Sequence, residues 1–435
     1  MRKLITGLIL SAILIINTTI INTTQVKAQP LNIDAKSYIL IDSKTGYVIC
    51  EHNADEKLYP ASTTKIMTAI LGIENAQPED IMTVSQYAID NIGPGGMHIG
   101  LLPGEQLAFK DLLNALMVRS ANETAYVIAE NIGPTVDDFV KKMNERAKEL
   151  GALNTNFVNP CGMDTYEKEK YHLTTARDLA LMSKYAMTLP LFRETVKKST
   201  CTIPPTNKHD EEVILASTNK LFQAKYKSEY YTEVTGIKTG YTNRALFTLV
   251  ASAINEDGME LISVILGCPS DAIYQYTKEL LEYGFKNYSQ KNIIAANTYV
   301  TSVSVADASF NPNLDLVAEE DFKCILPNDP DAFDTVTKNI KVKDNITAPI
   351  QKGTVLGSVE FVKDGFTLGE INLIASRNIE KMVPTPEPSQ KIISTFGKSK
   401  FSKVLINLFF VIVGFLLLRM TLRKISRRRR INRFH

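Results

Sequence analysis

The sequence predicts an α/β fold: a five-stranded antiparallel sheet with a helical insertion, followed by a small all-β domain and a C-terminal transmembrane helix. Three observations carry this. Two β-type runs near the start (37–42 and 47–50) are separated from three more (233–239, 246–253 and 259–266) by a long stretch with helical spacing. From about residue 292 the chain changes to short β-branched runs punctuated by turn residues. Near the end, 404–418 is fifteen residues with only Asn407 polar.

Taken in order, 37–42 and 47–50 read as two strands joined by a Ser-Lys-Thr-Gly turn. Ser62 opens a helical segment with Ile66, Met67, Ile70 and Leu71 on one face. Segments 111–118 and 125–132 are helical by the same pattern. Thr135-Val-Asp-Asp138 resembles a capping box ahead of Phe139, Met143, Ala147 and Leu150. A further helix is expected over 175–187, and after the three later strands another over 272–283. In the second domain the strand candidates are 298–305, 337–342, 354–361 and 367–374. Pro384-Thr-Pro-Glu-Pro388 then forms a stiff, extended spacer. No repeat of 20–50 residues is visible.

The two ends set the compartment. Arg2 and Lys3, a mostly apolar run over 4–21 and the small residues of Val26-Lys27-Ala28 read as a signal peptide, 1–28. An uncleaved anchor is the alternative, because Asn17, Thr18 and Thr19 interrupt the apolar run. At the far end, 403–422 has the length of a bilayer span. Arg419, Arg423, Lys424, Arg427, Arg428, Arg429, Arg430 and Arg433 lie at its end and beyond, and basic residues beside a span are retained on the cytoplasmic side. The bulk of the chain therefore faces out, held at the cell membrane by a single C-terminal span. The expected organisation is a signal peptide (1–28), a larger helix-and-sheet domain (31–286), a β-rich domain (292–380), a linker (383–402), a span (403–422) and a basic tail (423–435). About 370 residues between the ends suit two domains.

The formal charge of +2 misleads. Leaving out nine basic residues after 400 and three before 29, 37 basic residues face 47 acidic ones. An excess of about ten acids argues against a nucleic-acid partner. The five cysteines (Cys50, Cys161, Cys201, Cys268 and Cys324) are widely spaced and odd in number, so they make no disulfide framework. Five histidines without a His-Glu-x-x-His pair give no zinc case, and no metal or cofactor is expected.

Chemistry enters through Ser62-Thr-Thr-Lys65, Ser120-Ala-Asn122 and Lys238-Thr-Gly240, in that order. Each is weak alone, and the chain holds decoys: Lys44-Thr45-Gly46, Ser217-Thr-Asn-Lys220 and Ser376-Arg-Asn378. The first decoy sits in a hairpin turn, and the second lacks a following amphipathic pattern. Ser62 instead begins a clear apolar helix. Residues i and i+3 on a helix face one side, β-carbons about 5–6 Å apart, so Lys65 can reach the Ser62 hydroxyl. A serine needs a base to become a nucleophile. Lysine can be that base only if desolvation or a second cation lowers its pKa, and Lys238 is a candidate for the second cation.

With these motifs in view, the chain resembles the low-molecular-mass penicillin-binding proteins, specifically the membrane-anchored serine-type D-alanyl-D-alanine carboxypeptidases. The similarity runs over about 37–374. It includes Pro60-Ala-Ser-Thr-Thr-Lys-Ile-Met-Thr-Ala69, Asp111-Leu-Leu-Asn-Ala-Leu116, Asn159-Pro160 with Gly162, Thr175-Ala-Arg-Asp178 and Gly236-Ile-Lys-Thr-Gly-Tyr-Thr242. The resemblance implies a β-lactamase/transpeptidase-like fold. It also implies that Ser62 attacks the carbonyl between the last two D-alanines of a peptidoglycan stem peptide, while Lys65 takes its proton. Ser120 would relay a proton to the departing nitrogen, and Asn122 would orient the peptide and Lys65. Lys238 and Thr239 would bind the terminal carboxylate. Gly240 would leave room for substrate along its strand, and the backbone N–H groups of Ser62 and Tyr241 would form the oxyanion hole. β-Lactam antibiotics would acylate the same serine.

Three departures from the family stand out. Glu260 stands where members often carry a basic residue that helps hold the carboxylate, with Arg244 or Lys220 as substitutes. Cys161 stands where histidine is frequent, and Tyr241 where some members carry histidine and tyrosine is also common. His98, His172 and Cys268 read as structural, and Glu123 as a helix-start charge or a deacylating base. A β-lactamase is the rival within enzymes, but no Glu-x-x-Leu-Asn segment lies between Ser120 and Lys238. A DD-endopeptidase stands closer still. From another class, a non-catalytic wall-binding protein would need the site to be dead. The β-rich domain reads as a spacer or a partner-docking module.

Overall fold

The computed structural model describes residues 31–164, 166–226, 230–383 and 400–431. The predicted signal peptide, most of the linker and the end of the basic tail lie outside these residues. The chain packs as two compact units. One holds the chain up to Ser302 with Asp315–Asp344 and Gly353–Ser376; the other holds Val303–Leu314, Asn345–Lys352 and the chain from Arg377 onward.

The central sheet has five strands: β1 (Ser37–Asp42), β2 (Val48–His52), β7 (Val234–Thr242), β8 (Leu246–Ile254) and β9 (Glu260–Cys268). Their spatial order is β2-β1-β9-β8-β7, and every adjacent pair is antiparallel. Alternate side chains leave opposite faces. Ile39, Ile41, Ile262, Val264 and Leu266 therefore join the core beneath the helical insertion. Leu40, Leu249, Ala251, Leu261 and Ile265 instead pack with Leu280 and Leu281 of the closing helix, Ile273–Asn287.

Within the insertion, α1 (Lys65–Asn75) is buried all round from Lys65 to Gly72, not only on its apolar face. A helix enclosed on every side runs through the middle of its layer. Each fully buried Ile or Met contributes about 1.5–3 kcal/mol, and Ile66, Met67 and Ile70 are all fully buried. Burial of α1 is what takes Lys65 out of water.

Around it lie α2 (Gln86–Asp90), α3 (Phe109–Asn114), α4 (Asn122–Ile132), α5 (Val136–Glu149), α6 (Ala176–Ala186) and α7 (Pro190–Val196). The expected helix over 111–118 is divided. After α3 the chain widens into a π-helical turn over Ala115–Arg119 and ends on Ser120 in the left-handed region, φ 68°. Thr135 caps α5 by accepting from the Asp138 N–H at 3.1 Å, a contact that stabilises a helix start by about 1 kcal/mol.

Two small hairpins complete this layer: β3 (Ile81–Thr83) with β4 (Gln106–Ala108), and β5 (Thr200–Ile203) with β6 (Val213–Ala216). The β-rich region contains β10 (Tyr288–Ile294) paired with β13 (Phe322–Pro327). It also contains a five-stranded sheet of β11 (Tyr299–Ser304), β12 (Asn313–Ala318), β14 (Val336–Val342), β15 (Val355–Lys363) and β16 (Phe366–Ala375), ordered β11-β12-β16-β15-β14. The final helix, Lys400–Ile431, includes one segment long and apolar enough to cross a bilayer, Val404–Arg423, with mean hydropathy 2.3.

Candidate active site

Ser62 lies in a single 3₁₀ turn, Ala61–Thr64, that leads directly into α1. The turn is tightly held. Ala61 sits at φ 49°, a region L-residues rarely occupy. A β-carbon on Gly162 would lie 1.8 Å from the Ala61 carbonyl oxygen, and Gly162 itself has φ 90°. Only glycine allows that approach. On the same turn, Thr63 Oγ1 donates to the Pro60 carbonyl at 2.7 Å. His172, fully buried, accepts the Val158 N–H at Nδ1 (3.1 Å), which leaves Nε2–H to donate to Thr64 Oγ1 (2.7 Å). Burial pushes the His172 imidazole down to about 3, so it is neutral and structural.

Lys65 is 0% exposed. Its Nζ donates to Ser62 Oγ at 2.9 Å, to Asn122 Oδ1 at 2.7 Å and to the Cys161 carbonyl at 2.9 Å. The three protons of an ammonium are thus matched by three neutral oxygens. Burial pushes Lys65 down to about 8, partly offset by Cys161 and Glu123. Lys238, 1% exposed, is pushed well below its ordinary value by burial and then by the charge of Lys65. Desolvation is therefore what lowers Lys65, whereas the like-charge repulsion anticipated there is felt most at Lys238.

Asn122 opens α4 and faces two ways. Its Oδ1 accepts from Lys65, while Nδ2 donates to the Ile92 carbonyl at 2.8 Å and its backbone N–H to the Met97 carbonyl at 2.7 Å. The neighbouring Glu123 is fully buried; Oε1 accepts the Ile99 N–H at 2.7 Å, and Oε2 has no partner among the described residues. Burial pushes this carboxyl upward. It ties down the loop that holds Asn122. Ser120 is buried, and its hydroxyl makes no hydrogen bond among the described residues.

From the other side comes β7. Lys238 Nζ donates to the Thr239 carbonyl at 2.9 Å. The Thr239 hydroxyl is 2.6 Å from the Thr218 hydroxyl, and the Thr218 N–H donates to the Val118 carbonyl at 3.1 Å. Gly240 is constrained within the fold itself. A β-carbon there would lie 2.4 Å from Thr248 Oγ1 and 2.9 Å from the Ser62 nitrogen. The glycine also lets β7 close on the serine turn. Tyr241 is exposed, its ring 4.7 Å from that of Phe247.

A seryl hydroxyl bound to a buried lysine, backed by an asparagine and faced by a second lysine on a sheet edge, is equipped for acyl transfer. Comparison with known proteins agrees. The family model described as D-alanyl-D-alanine carboxypeptidase matches residues 23–270, and that of the penicillin-binding protein 5 C-terminal domain matches 288–381. The chain belongs to this family. It is 35% identical to the D-alanyl-D-alanine carboxypeptidase DacF of Bacillus subtilis over 357 residues, spanning 80% of this chain and 86% of that one. DacC of Escherichia coli is 32% identical over 367 residues, 80% and 85% of the two chains. Among solved structures, penicillin-binding protein 5 of Haemophilus influenzae aligns with a TM-score of 0.65 at 28% identity, covering 81% of this chain and 99% of that one.

Against the family background, the departure at Glu260 lies elsewhere. Glu260 is the first residue of β9, at the opposite end of that strand from Cys268, which pairs with Phe247 beside Tyr241. Thr239 pairs with Leu249, which pairs with Ile265, so Glu260 lies five residues along β9, about 16 Å, and two strands away from it. Its carboxylate accepts from both Nη atoms of Arg193 at 2.8 Å, which engages it in an ion pair within the fold. Of the suggested substitutes, Lys220 forms an ion pair with Asp271 at 2.8 Å. The Arg244 guanidinium lies 6.0 Å from the centre of the Tyr59 ring.

Cys161 meets Lys65 through its carbonyl, while its buried thiol faces Tyr126 and Asn159. Cys268 is buried and donates to the Ser270 carbonyl. Lys44-Thr45-Gly46 is the tight turn after β1, held by Asp42 through the Thr45 N–H at 2.9 Å. The Ser217-Thr-Asn-Lys220 decoy is not idle, since Thr218 touches Thr239. Sequence reasoning missed it because it weighed only the Ser and Lys of that motif. No group of three or more His, Cys, Asp or Glu suited to a metal occurs among the described residues.

Proposed function

We propose that this protein is a serine-type D-Ala-D-Ala carboxypeptidase that removes the terminal D-alanine from peptidoglycan stem pentapeptides. The observation that carries the reading is the buried Lys65 Nζ, held at once by Ser62 Oγ, Asn122 Oδ1 and the Cys161 carbonyl. With a pKa of about 8, Lys65 reaches its neutral form near physiological pH and can take the Ser62 proton. Ser62 Oγ then bonds the penultimate D-alanine carbonyl carbon. As the C–N bond breaks, the proton passes through Ser120 to the departing D-alanine nitrogen. Water hydrolyses the resulting ester and regenerates Ser62.

Lys238 and Thr239 take the terminal carboxylate, which supplies the counter-charge that Lys238 lacks in the free site. Asn122 orients the peptide, Gly240 brings β7 against the serine turn, and the N–H groups of Ser62 and Tyr241 receive the oxyanion. One such donor is worth about 10²–10³ in rate. β-Lactams acylate Ser62 covalently by the same route. In this reading 31–286 is the catalytic domain, 292–380 a β-rich domain, 383–402 a linker, 403–422 the membrane anchor and 423–435 a cytoplasmic tail. Catalysis is then extracytoplasmic.

The test is intact-mass analysis of the purified full chain with penicillin, peptide mapping, and D-alanine release from a pentapeptide. A stable adduct on the Ser62 peptide together with D-alanine release is expected. Rapid penicillin hydrolysis without an adduct would make the protein a β-lactamase. Neither adduct nor release would sink the catalytic reading.

A further inference from the structure

A cavity of about 430 Å³ lies at the end of the central sheet away from the serine. Ile254 and Glu260, paired across β8 and β9, form part of its wall. Both lie five residues along their strands from the level of Thr239, about 16 Å. Lys44 of the β1–β2 turn, Lys184 of α6, Arg193 of α7 and Lys323 of β13 line the same cavity. Four cations around one hollow stand out in a chain whose residues from 29 to 400 carry an excess of about ten acids. Two acids share the wall, and the fold already satisfies both. Asp42 accepts from the Thr45 N–H at 2.9 Å and the Thr45 hydroxyl at 2.6 Å. Glu260 holds Arg193 and also accepts from the Ser43 and Thr235 hydroxyls, each at 3.2 Å. The lysines are left over. The side chains of Lys44 and Lys323 make no hydrogen bond or ion pair among the described residues. Lys184 is half-buried against Gly46, where a β-carbon would come within 3.2 Å of Nζ. Its one hydrogen bond goes to a neutral group, the Thr45 carbonyl, at 2.9 Å. Burial pushes this ammonium downward, and the charge of Asp42 offsets only part of that. Two of its three N–H donors are therefore open to a ligand.

We propose that this cavity binds a soluble phosphate monoester, its phosphate held by Lys44, Lys184 and Lys323 and its organic body laid on Met187, Met259 and Ile325. Those three apolar residues line the cavity and are themselves nearly buried, so they form a fixed floor. The volume is that of a small-molecule site, and inorganic phosphate would leave most of it unfilled. Three lysines match the double charge and three oxygens of a monoester better than the single charge of a carboxylate or a phosphodiester. A phosphate placed there supplies the anionic partner that Lys184 lacks. The cavity shares no residue with the serine turn, α4 or the Lys238 end of β7, so ligand and acylated Ser62 can coexist.

The experiment is isothermal titration calorimetry on the purified full chain in detergent, at constant ionic strength. The probes are n-butyl phosphate, inorganic phosphate, butyrate and dihexanoylphosphatidylglycerol. Butyl phosphate should bind about ten-fold more tightly than any of the other three. Lys44→Gln together with Lys323→Gln, both at exposed positions, should weaken it about ten-fold or more, the loss expected for charge-assisted contacts. Lys184→Met should do the same, and thermal unfolding of each variant separates a local effect from damage to the fold. Saturation with penicillin should leave the affinity within about two-fold. No heat with butyl phosphate overturns the proposal, as does binding that survives in both variants. Equal affinity for inorganic phosphate or butyrate overturns the assignment to an ester. Tighter binding of the phosphatidylglycerol would give the site to a lipid headgroup instead. A ten-fold loss with penicillin would move the anion to the serine site and overturn the separate cavity.

Discussion

At the scale of single residues, the site depends on how far water is kept from Lys65. Its burial stabilises the neutral amine, and only the neutral amine can accept the Ser62 proton. Because the folded pKa is about 8, the rate constant for acylation by penicillin should rise with pH and level off above about 8. A flat profile from about pH 6.5 to 9 would remove Lys65 as the base. The backbone makes an equally sharp demand at Gly162. Ala there must both adopt φ 90° and clear a contact of 1.8 Å. We expect Gly162→Ala to cost about 3 kcal/mol or more in chemical denaturation and to abolish the penicillin adduct. Ser62, Lys65 and Asn122 are legible in the sequence because it is their side chains, at fixed motif spacing, that the fold brings together. The Cys161 carbonyl is not legible, since every residue carries a carbonyl and only the fold selects which one meets Lys65. Thr218 reaches Thr239 from a segment that only the folded chain brings near.

Elements follow similar lines. All five strands of the central sheet were readable from β-branched alternation, and α1 from its apolar spacing. What the pattern did not give was the encirclement of α1, because periodicity records one apolar face and the small residues Thr68, Ala69 and Gly72 bury the other. Hairpins β3–β4 and β5–β6 and strands β10, β12 and β13 went unread. The hairpin strands are only three or four residues long, and β10, β12 and β13 pair with partners far along the chain. The π-helical turn at Ala115–Arg119 was also hidden: its composition is that of an ordinary helix, yet it delivers Ser120 in the left-handed region. The loop over 92–100 is held to α4 through Glu123. Removing that carboxylate in Glu123→Ala strands the Ile99 N–H and should cost about 1–3 kcal/mol. D-Alanine release should fall with it, because Asn122 leans on the same loop. Glu123→Gln keeps an acceptor for Ile99 and should retain most of both; equal loss in the two variants would argue that the charge itself is required.

For the whole molecule, charge and hydropathy are divided along the chain. The acidic excess lies between residues 29 and 400, and the apolar helix is followed by a run of arginines. A chain ending at residue 403 should leave the membrane fraction while keeping its penicillin adduct, read by fractionation and fluorescent penicillin labelling. Retention of the shortened protein on membranes would point to a second anchor, such as an uncleaved N-terminal segment. This division was legible because composition alone determines which segment prefers lipid. The second domain was visible as a change of texture, but its strand order was not, since pairing among short β-branched runs is decided by turns and packing together.

The glycines at 162 and 240 press on the serine turn from two directions, one against the Ala61 carbonyl and the other against the Ser62 nitrogen. Bacteria often escape a drug by crowding its binding site. Here a side chain added at either position displaces the nucleophile before it can obstruct a β-lactam. At these two places, resistance by obstruction and survival of the enzyme exclude each other.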